Sequence, residues 1–130
     1  MTEERIASIM RPDFPALSPT MPIRRAVAQL VESRAAAAPV IDDDTRMVGI
    51  LTQKDCFRPV LHASYYREWS GSVADHMSRK VVSVDAQDEL IRVAELFLRL
   101  PHRVFPVRDG ARIAGLIHRS DILARLIRLG

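Results

Sequence analysis

Val48-Gly49-Ile50-Leu51-Thr52-Gln53-Lys54-Asp55 reads as a short apolar strand running straight into a capped helix. Met47 to Leu51 is an apolar run of strand length, and Thr52 with Asp55 three residues on has the spacing of a capping box. Thr52 is therefore a predicted helix N-cap. Gly49 carries no Cβ, so another backbone or a bound molecule can approach the end of the strand. The first turn of the next helix would add unpaired N–H groups and a partial positive charge. Strand end, gap, hydroxyl and helix dipole are the parts of a phosphate site. They are equally the parts of a strand-to-helix junction that binds nothing, and one copy of so short a pattern does not decide between the two.

The pattern occurs twice. A shift of 67 residues lays Ala7 on Ala74, Met10 on Met77, Arg25 on Arg92, Pro39-Val40 on Pro106-Val107 and Asp42 on Asp109. One residue is lost in the turn, after which a shift of 66 lays Arg46 on Arg112, Gly49 on Gly115 and Asp55 on Asp121. The chain is two copies of one unit. In each, an amphipathic helix is predicted first, with Ile23, Val27, Leu30 and Val31 on one face in copy one and Leu90, Val93, Ala94, Phe97 and Leu98 in copy two. A β-hairpin follows, built on Pro39-Val40-Ile41 with Met47–Leu51, and on Phe105-Pro106-Val107 with Ile113–Ile117. The last helix starts at Thr52 in copy one and at about His118 in copy two, where Ile122, Leu123, Leu126 and Ile127 form an apolar stripe. Short leading strands are expected near Ala16-Leu17 and Val81–Val84. Pro59 should end or kink the first copy's last helix.

The totals agree with a single module. The chain has 130 residues, 48% of them hydrophobic and 27% charged, which is ordinary for a soluble protein of one folding unit. No apolar run reaches bilayer length, and the charged start Met1-Thr2-Glu3-Glu4-Arg5 leads into no signal-type apolar core, so a cytoplasmic protein is expected. The single cysteine, Cys56, excludes an internal disulfide and reads as a small buried residue rather than a reactive thiol. A formal charge of +3 favours an anionic partner without amounting to a nucleic-acid footprint.

The order strand-helix-strand-strand-helix, twice over, resembles the CBS-domain pair, or Bateman module, and in particular its small stand-alone members. The resemblance is carried by Ala7-x-x-Met10 and Ala74-x-x-Met77, by Pro39-Val40 and Pro106-Val107, and by the runs Gly49-Ile50-Leu51-Thr52-x-x-Asp55 and Gly115-Leu116-Ile117-His118-x-x-Asp121. It implies an α+β fold of two β-α-β-β-α repeats related by a pseudo-twofold axis. The repeats would span about 7–60 and 73–130, with a linker at about 61–72 that holds Tyr65, Tyr66 and Trp69. Those rings are expected to pack over the seam between the copies or against a second chain.

The resemblance further implies two clefts that take an adenine nucleotide (AMP, ADP, ATP) or a related adenosyl compound, the Asp bonding the ribose diol. An ionised carboxylate suits a diol because it accepts from both hydroxyls. One cleft would join Gly49, Thr52 and Asp55 to His102, Arg103 and Val104, with Arg103 as the phosphate partner. Arg103 stands three residues before Pro106, whereas the family's phosphate-binding Arg often stands two before. The other cleft would join His118, Ser120 and Asp121 to Ala36 and Ala37, with Ala35 before them. There His118 replaces the usual hydroxyl, and a protonated imidazole could meet a phosphate.

No enzyme is expected: the sequence has no Walker loop and no Ser-His-Asp or Cys-His pairing. His62, His76, His102 and His118 lack metal-ligand spacing, and Asp42-Asp43-Asp44 reads as a solvated turn rather than a calcium loop. The expected function is a regulatory sensor with the nucleotide as its ligand, no required cofactor, a homodimeric state and an unidentified protein target. The alternatives are a dimerisation module with vestigial clefts or, less readily, a nucleic-acid-binding protein using Arg119, Arg125 and Arg128.

Overall fold

A computed structural model describes residues 3–129, so Met1, Thr2 and Gly130, the extremes of the expected module, lie outside the described residues. The elements in chain order are α1 (Ile23–Ser33), β1 (Ala37–Ile41), β2 (Met47–Thr52), α2 (Gln53–Tyr66), α3 (Val73–His76), β3 (Val84–Asp85), α4 (Leu90–Arg99), β4 (Val104–Asp109), β5 (Arg112–His118) and α5 (Arg119–Leu129). A turn of 3-10 helix, Ile6–Ser8, precedes them.

The chain forms two compact units, and they are not the two sequence repeats. One is Pro15–Val81; the other joins the residues up to Phe14 to those from Val82 onward. Each repeat's leading segment therefore packs with the other repeat. Val73 belongs to the core formed by Leu17, Ile23, Leu30, Val40 and Leu51. Ile6 belongs to the core formed by Leu90, Val93, Phe105, Val107, Ile117 and Ile122.

In the Pro15–Val81 unit, β1 and β2 form an antiparallel hairpin. Leu17 adds a parallel bridge to Val40, and Ser78 an antiparallel bridge to Ile50. The hairpin turn is closed by Asp42, whose Oδ1 accepts the N–H groups of Asp44 at 2.9 Å and Arg46 at 3.0 Å, as a local turn requires. In the other unit β3, β4 and β5 form a three-stranded sheet, with β3 parallel to β4 and β4 antiparallel to β5. Arg11 bridges Leu116 at the edge beyond β5. The expected leading strands are thus a two-residue strand at Val84–Asp85 and a single bridge at Leu17.

Gly49 and Gly115 permit the exchange of leading segments. A Cβ on Gly49 would stand 2.7 Å from Met77 Sδ and 2.8 Å from the Ser78 carbonyl oxygen. One on Gly115 would stand 2.7 Å from the Arg11 carbonyl oxygen. The Met of each Ala-x-x-Met segment and the residue after it therefore lie directly on a glycine of the receiving hairpin.

Pro59 does not end α2, which runs on to Tyr66 with Cys56, Pro59 and Ala63 buried. Proline removes one i→i−4 bond, and burial of that face holds the helix past it. Of the three linker aromatics, Trp69 packs against the core of its own unit while Tyr65 and Tyr66 are exposed on this chain.

Candidate functional site

In the Pro15–Val81 unit, β2 delivers the chain straight into α2, and the junction is the capping box read from the sequence. Thr52 Oγ1 accepts the Asp55 N–H at 3.1 Å, and Asp55 Oδ2 accepts the Thr52 N–H at 3.0 Å. Both residues are half-buried. Among the described residues Asp55 Oδ1 accepts no hydrogen bond, so this oxygen and the remaining lone pair of Oδ2 can serve a ligand. The residues before Pro39 lie beside this helix start. Gln53 donates its backbone N–H to the Ala36 carbonyl at 2.9 Å and its Nε2 to the Ala35 carbonyl at 2.9 Å. Ala37 is the strand partner of Thr52. The room at Gly49, open in the sequence to a backbone or a bound molecule, is filled by Met77 and Ser78 of the protein itself.

Cys56 follows in α2, buried, its Sγ donating to the Thr52 carbonyl at 3.4 Å. Burial, and secondarily the charge of Asp55, pushes its thiol up to about 11, so it is unsuited to act as a nucleophile.

The second unit repeats the arrangement with altered chemistry. Val104 is the strand partner of His118, and Arg119 donates its backbone N–H to the Arg103 carbonyl at 3.0 Å. Val104 is buried, His102 half-buried, and Arg103 and Ser120 exposed. His102 stacks beside Phe105 with ring centroids 5.1 Å apart. Its Nδ1 is buried without a partner among the described residues.

Asp121 stands where Asp55 stands in the first unit, but its carboxylate is held by a residue the sequence reading passed over. Arg11 donates Nε to Oδ2 at 2.8 Å and Nη2 to Oδ1 at 3.0 Å. The only sequence signal was that the shift of 67 lays an Arg on Ser78, directly after the matched Met. Burial, and then the positive charge of Arg11, hold His118 below its usual range, with Asp121 opposing them. Both influences favour the neutral imidazole over the cation that would meet a phosphate.

Arg125, counted above toward a basic patch, forks onto Glu4, Nη2 to Oε1 at 2.6 Å and Nε to Oε1 at 2.9 Å. That pairing fastens the leading segment to α5 and neutralises one member of the patch. No group of three or more His, Cys, Asp or Glu among the described residues could hold a metal ion.

The CBS-domain profile matches residues 6–62 and again 73–128. The chain belongs to the CBS-domain family. The match brings no catalytic family with it, and the mixed α+β architecture of two repeats is that of a CBS-domain pair. A protein of Methanocaldococcus jannaschii is 24% identical over 123 residues, covering 95% of this chain and 43% of that protein. The chain thus spans less than half the length of that relative. Among solved structures, CBSX2 from Arabidopsis thaliana matches with a TM-score of 0.83 at 23% identity, over 98% of this chain and 97% of that one. CBSX2 in complex with AMP gives 0.82 at 23% identity, over 96% and 97%. The CBS-domain pair of MJ0100, in complex with 5'-methylthioadenosine and S-adenosyl-L-methionine, gives 0.80 at 20% identity, over 98% of each. At these identities the likeness is one of fold. No helix of the described residues is long and apolar enough to cross a membrane.

Proposed function

We propose that this CBS-domain pair is a cytoplasmic regulatory module that senses an adenosyl ligand, an adenine nucleotide (AMP, ADP or ATP) or a related compound, and catalyses nothing. The observation that carries the reading is Asp55. It is a half-buried carboxylate in the first turn of a helix fed directly by a strand, with one oxygen engaged by the backbone and the other available. Such a group is preorganised by its cap to accept from a sugar diol, and the helix N-terminus beside it favours a phosphate. The complexes of CBSX2 with AMP and of the MJ0100 CBS pair with two adenosyl compounds support the choice of ligand class.

The proposed contacts regroup the expected clefts, which set each helix start against the other repeat: Ala37 is the strand partner of Thr52 and Val104 that of His118, so Thr52 and Asp55 go with Ala36 and Ala37, and His118, Ser120 and Asp121 with His102, Arg103 and Val104. Calorimetry of the full chain with AMP, ADP, ATP and S-adenosylmethionine tests this. Heat that saturates with at least one of them is expected, and Asp55→Ala should weaken it more than Asp121→Ala, because Asp121 is already engaged by Arg11. Absence of heat at millimolar ligand in folded protein overturns the sensor reading and leaves a structural module whose Thr52 and Asp55 only cap a helix. A melting temperature that stays fixed as ligand is raised would say the same, since a ligand selective for the native state must raise it.

We also infer a homodimer. Val31, Phe57 and Leu61 in one repeat and Leu98, Leu123 and Ile127 in the other are equivalent positions under the shifts of 67 and 66, and all six are large, apolar and exposed. Duplication has kept the same uncovered positions twice, which scattered surface apolars would not do. A protein target that responds to the ligand completes the proposal.

A further inference from the structure

The two equivalent carboxylates differ in what holds them. Asp55 turns back to its own cap residue, whereas Asp121 presents both oxygens to Arg11, at 2.8 and 3.0 Å. Arg11 is fixed by its backbone, which exchanges hydrogen bonds with Leu116 at 2.8 and 3.0 Å at the edge of β5, the strand that leads into α5. Its side chain is about half exposed, at 51%, and that of Asp121 is 26% exposed, so the pair lies at the surface, where a solute reaches it. The pairing consumes Nε and one hydrogen of Nη2; the three other guanidinium hydrogens are in neither bond. The corresponding residue of the other unit is Ser78, which supplies no charge.

We propose that Arg11 determines specificity at Asp121, making that site require an anionic group on its ligand while the Asp55 site does not. This rests on the reading of both carboxylates as diol acceptors. A diol presents two donors side by side and seeks the same pair of carboxylate oxygens that the guanidinium fork holds. An uncharged nucleoside must therefore break the fork and leave Arg11 without an anion. A nucleotide breaks the same two bonds but brings a phosphate to which the released guanidinium can fork in turn. The ion pair is thus an internal competitor that only a ligand with its own negative charge replaces on both sides. Charge-assisted bonds of this kind set the discrimination at about tenfold or more.

The test is an NMR titration of the full chain with AMP and, separately, adenosine. The backbone amides of residues 118–122 report on one site and those of 52–56 on the other. At the 118–122 amides, AMP is expected to bind about tenfold or more tighter than adenosine. In Arg11→Gln the ratio should fall several-fold, chiefly because adenosine binds more tightly. Arg11→Lys, which keeps the charge but cannot fork, should lie between, and it carries the test if the Gln variant does not fold. An AMP-to-adenosine ratio unchanged by these substitutions overturns the proposal, as does equal binding of both to the wild type. Shifts at 52–56 with none at 118–122 overturn it while leaving the Asp55 reading standing. Shifts at neither site in folded protein overturn the Arg11 proposal, and the sensor reading falls with it only where the calorimetry with ADP, ATP and S-adenosylmethionine is silent too.

Discussion

The Ser78 carbonyl oxygen lies on Gly49, 2.8 Å from where a Cβ would stand, while the Ser78 and Ile50 backbones exchange two hydrogen bonds of 2.9 Å each. Glycine is required there because the segment carried in from the second repeat must come within pairing distance of β2. Gly49→Ala pushes a methyl group against backbone that those two bonds hold in place. The expected loss is about 1–3 kcal/mol, the usual range for overpacking, read as a lower urea midpoint. Gly115→Ala, facing the Arg11 carbonyl at 2.7 Å, should behave alike. A stability loss under a few tenths of a kcal/mol in both would mean that the exchanged segments are loosely held.

The features that the sequence made legible are those written in neighbouring residues. The hairpins follow from apolar runs around Asp42 and Gly110, and the α2 cap from Thr52 and Asp55. The exchange of leading segments was not legible, because Ala7-x-x-Met10 carries no mark of which glycine it will cover. Local rules left Pro59 as either a stop or a kink, and burial of one helix face carries α2 past it. Arg11 escaped because its meaning depends on a partner 110 residues away. Asp121 looked like a copy of Asp55, and only side-chain geometry separates a carboxylate bonded to its own cap from one held by a cation.

The cap itself can be weighed without touching Asp55. Thr52→Val keeps the shape of the side chain and removes the oxygen that accepts the Asp55 N–H at 3.1 Å. The cost should be about 1 kcal/mol, in line with other N-cap losses, with Thr52→Ser restoring most of it. Chemical denaturation of the three proteins measures this. Equal stability of the Val and Ser variants would show that the hydroxyl contributes nothing to α2.

His118 gives stability a defined pH dependence. Its folded pKa lies below its ordinary value of 6.5, from burial first and then from the charge of Arg11. Between the two values the unfolded chain binds more protons, so stability rises with pH across that interval. This contribution is complete above about 6.5, declines as pH falls toward the folded value, and is constant below it. His118→Asn should remove that part of the slope. Arg11→Gln removes one lowering influence and leaves Asp121, which raises the pKa, unopposed by it. An NMR titration of the imidazole should then show its midpoint moving up, and a midpoint that moves down contradicts the arrangement described.

The uncovered helix positions make the last prediction. In α1 and α2, Val31, Phe57 and Leu61, and in α4 and α5, Leu98, Leu123 and Ile127, are between 52% and 87% exposed. Between α1 and α2, Val31 and Phe57 line a groove of about 400 Å3 together with Val27, Leu30, Cys56 and Val60. A second copy is the proposed occupant, since a twofold partner presents the same apolar residues in return. Wild-type protein should therefore run in light scattering at twice the chain mass of 14.6 kDa. Phe57→Glu combined with Leu123→Glu places charges at exposed positions, where the cost to the fold is small, and at the centre of the proposed contact, where two buried carboxylates would have no partner. The double variant should be a folded monomer. Wild-type protein that remains at the single-chain mass up to high micromolar concentration would refute the dimer and leave both helix faces to another protein.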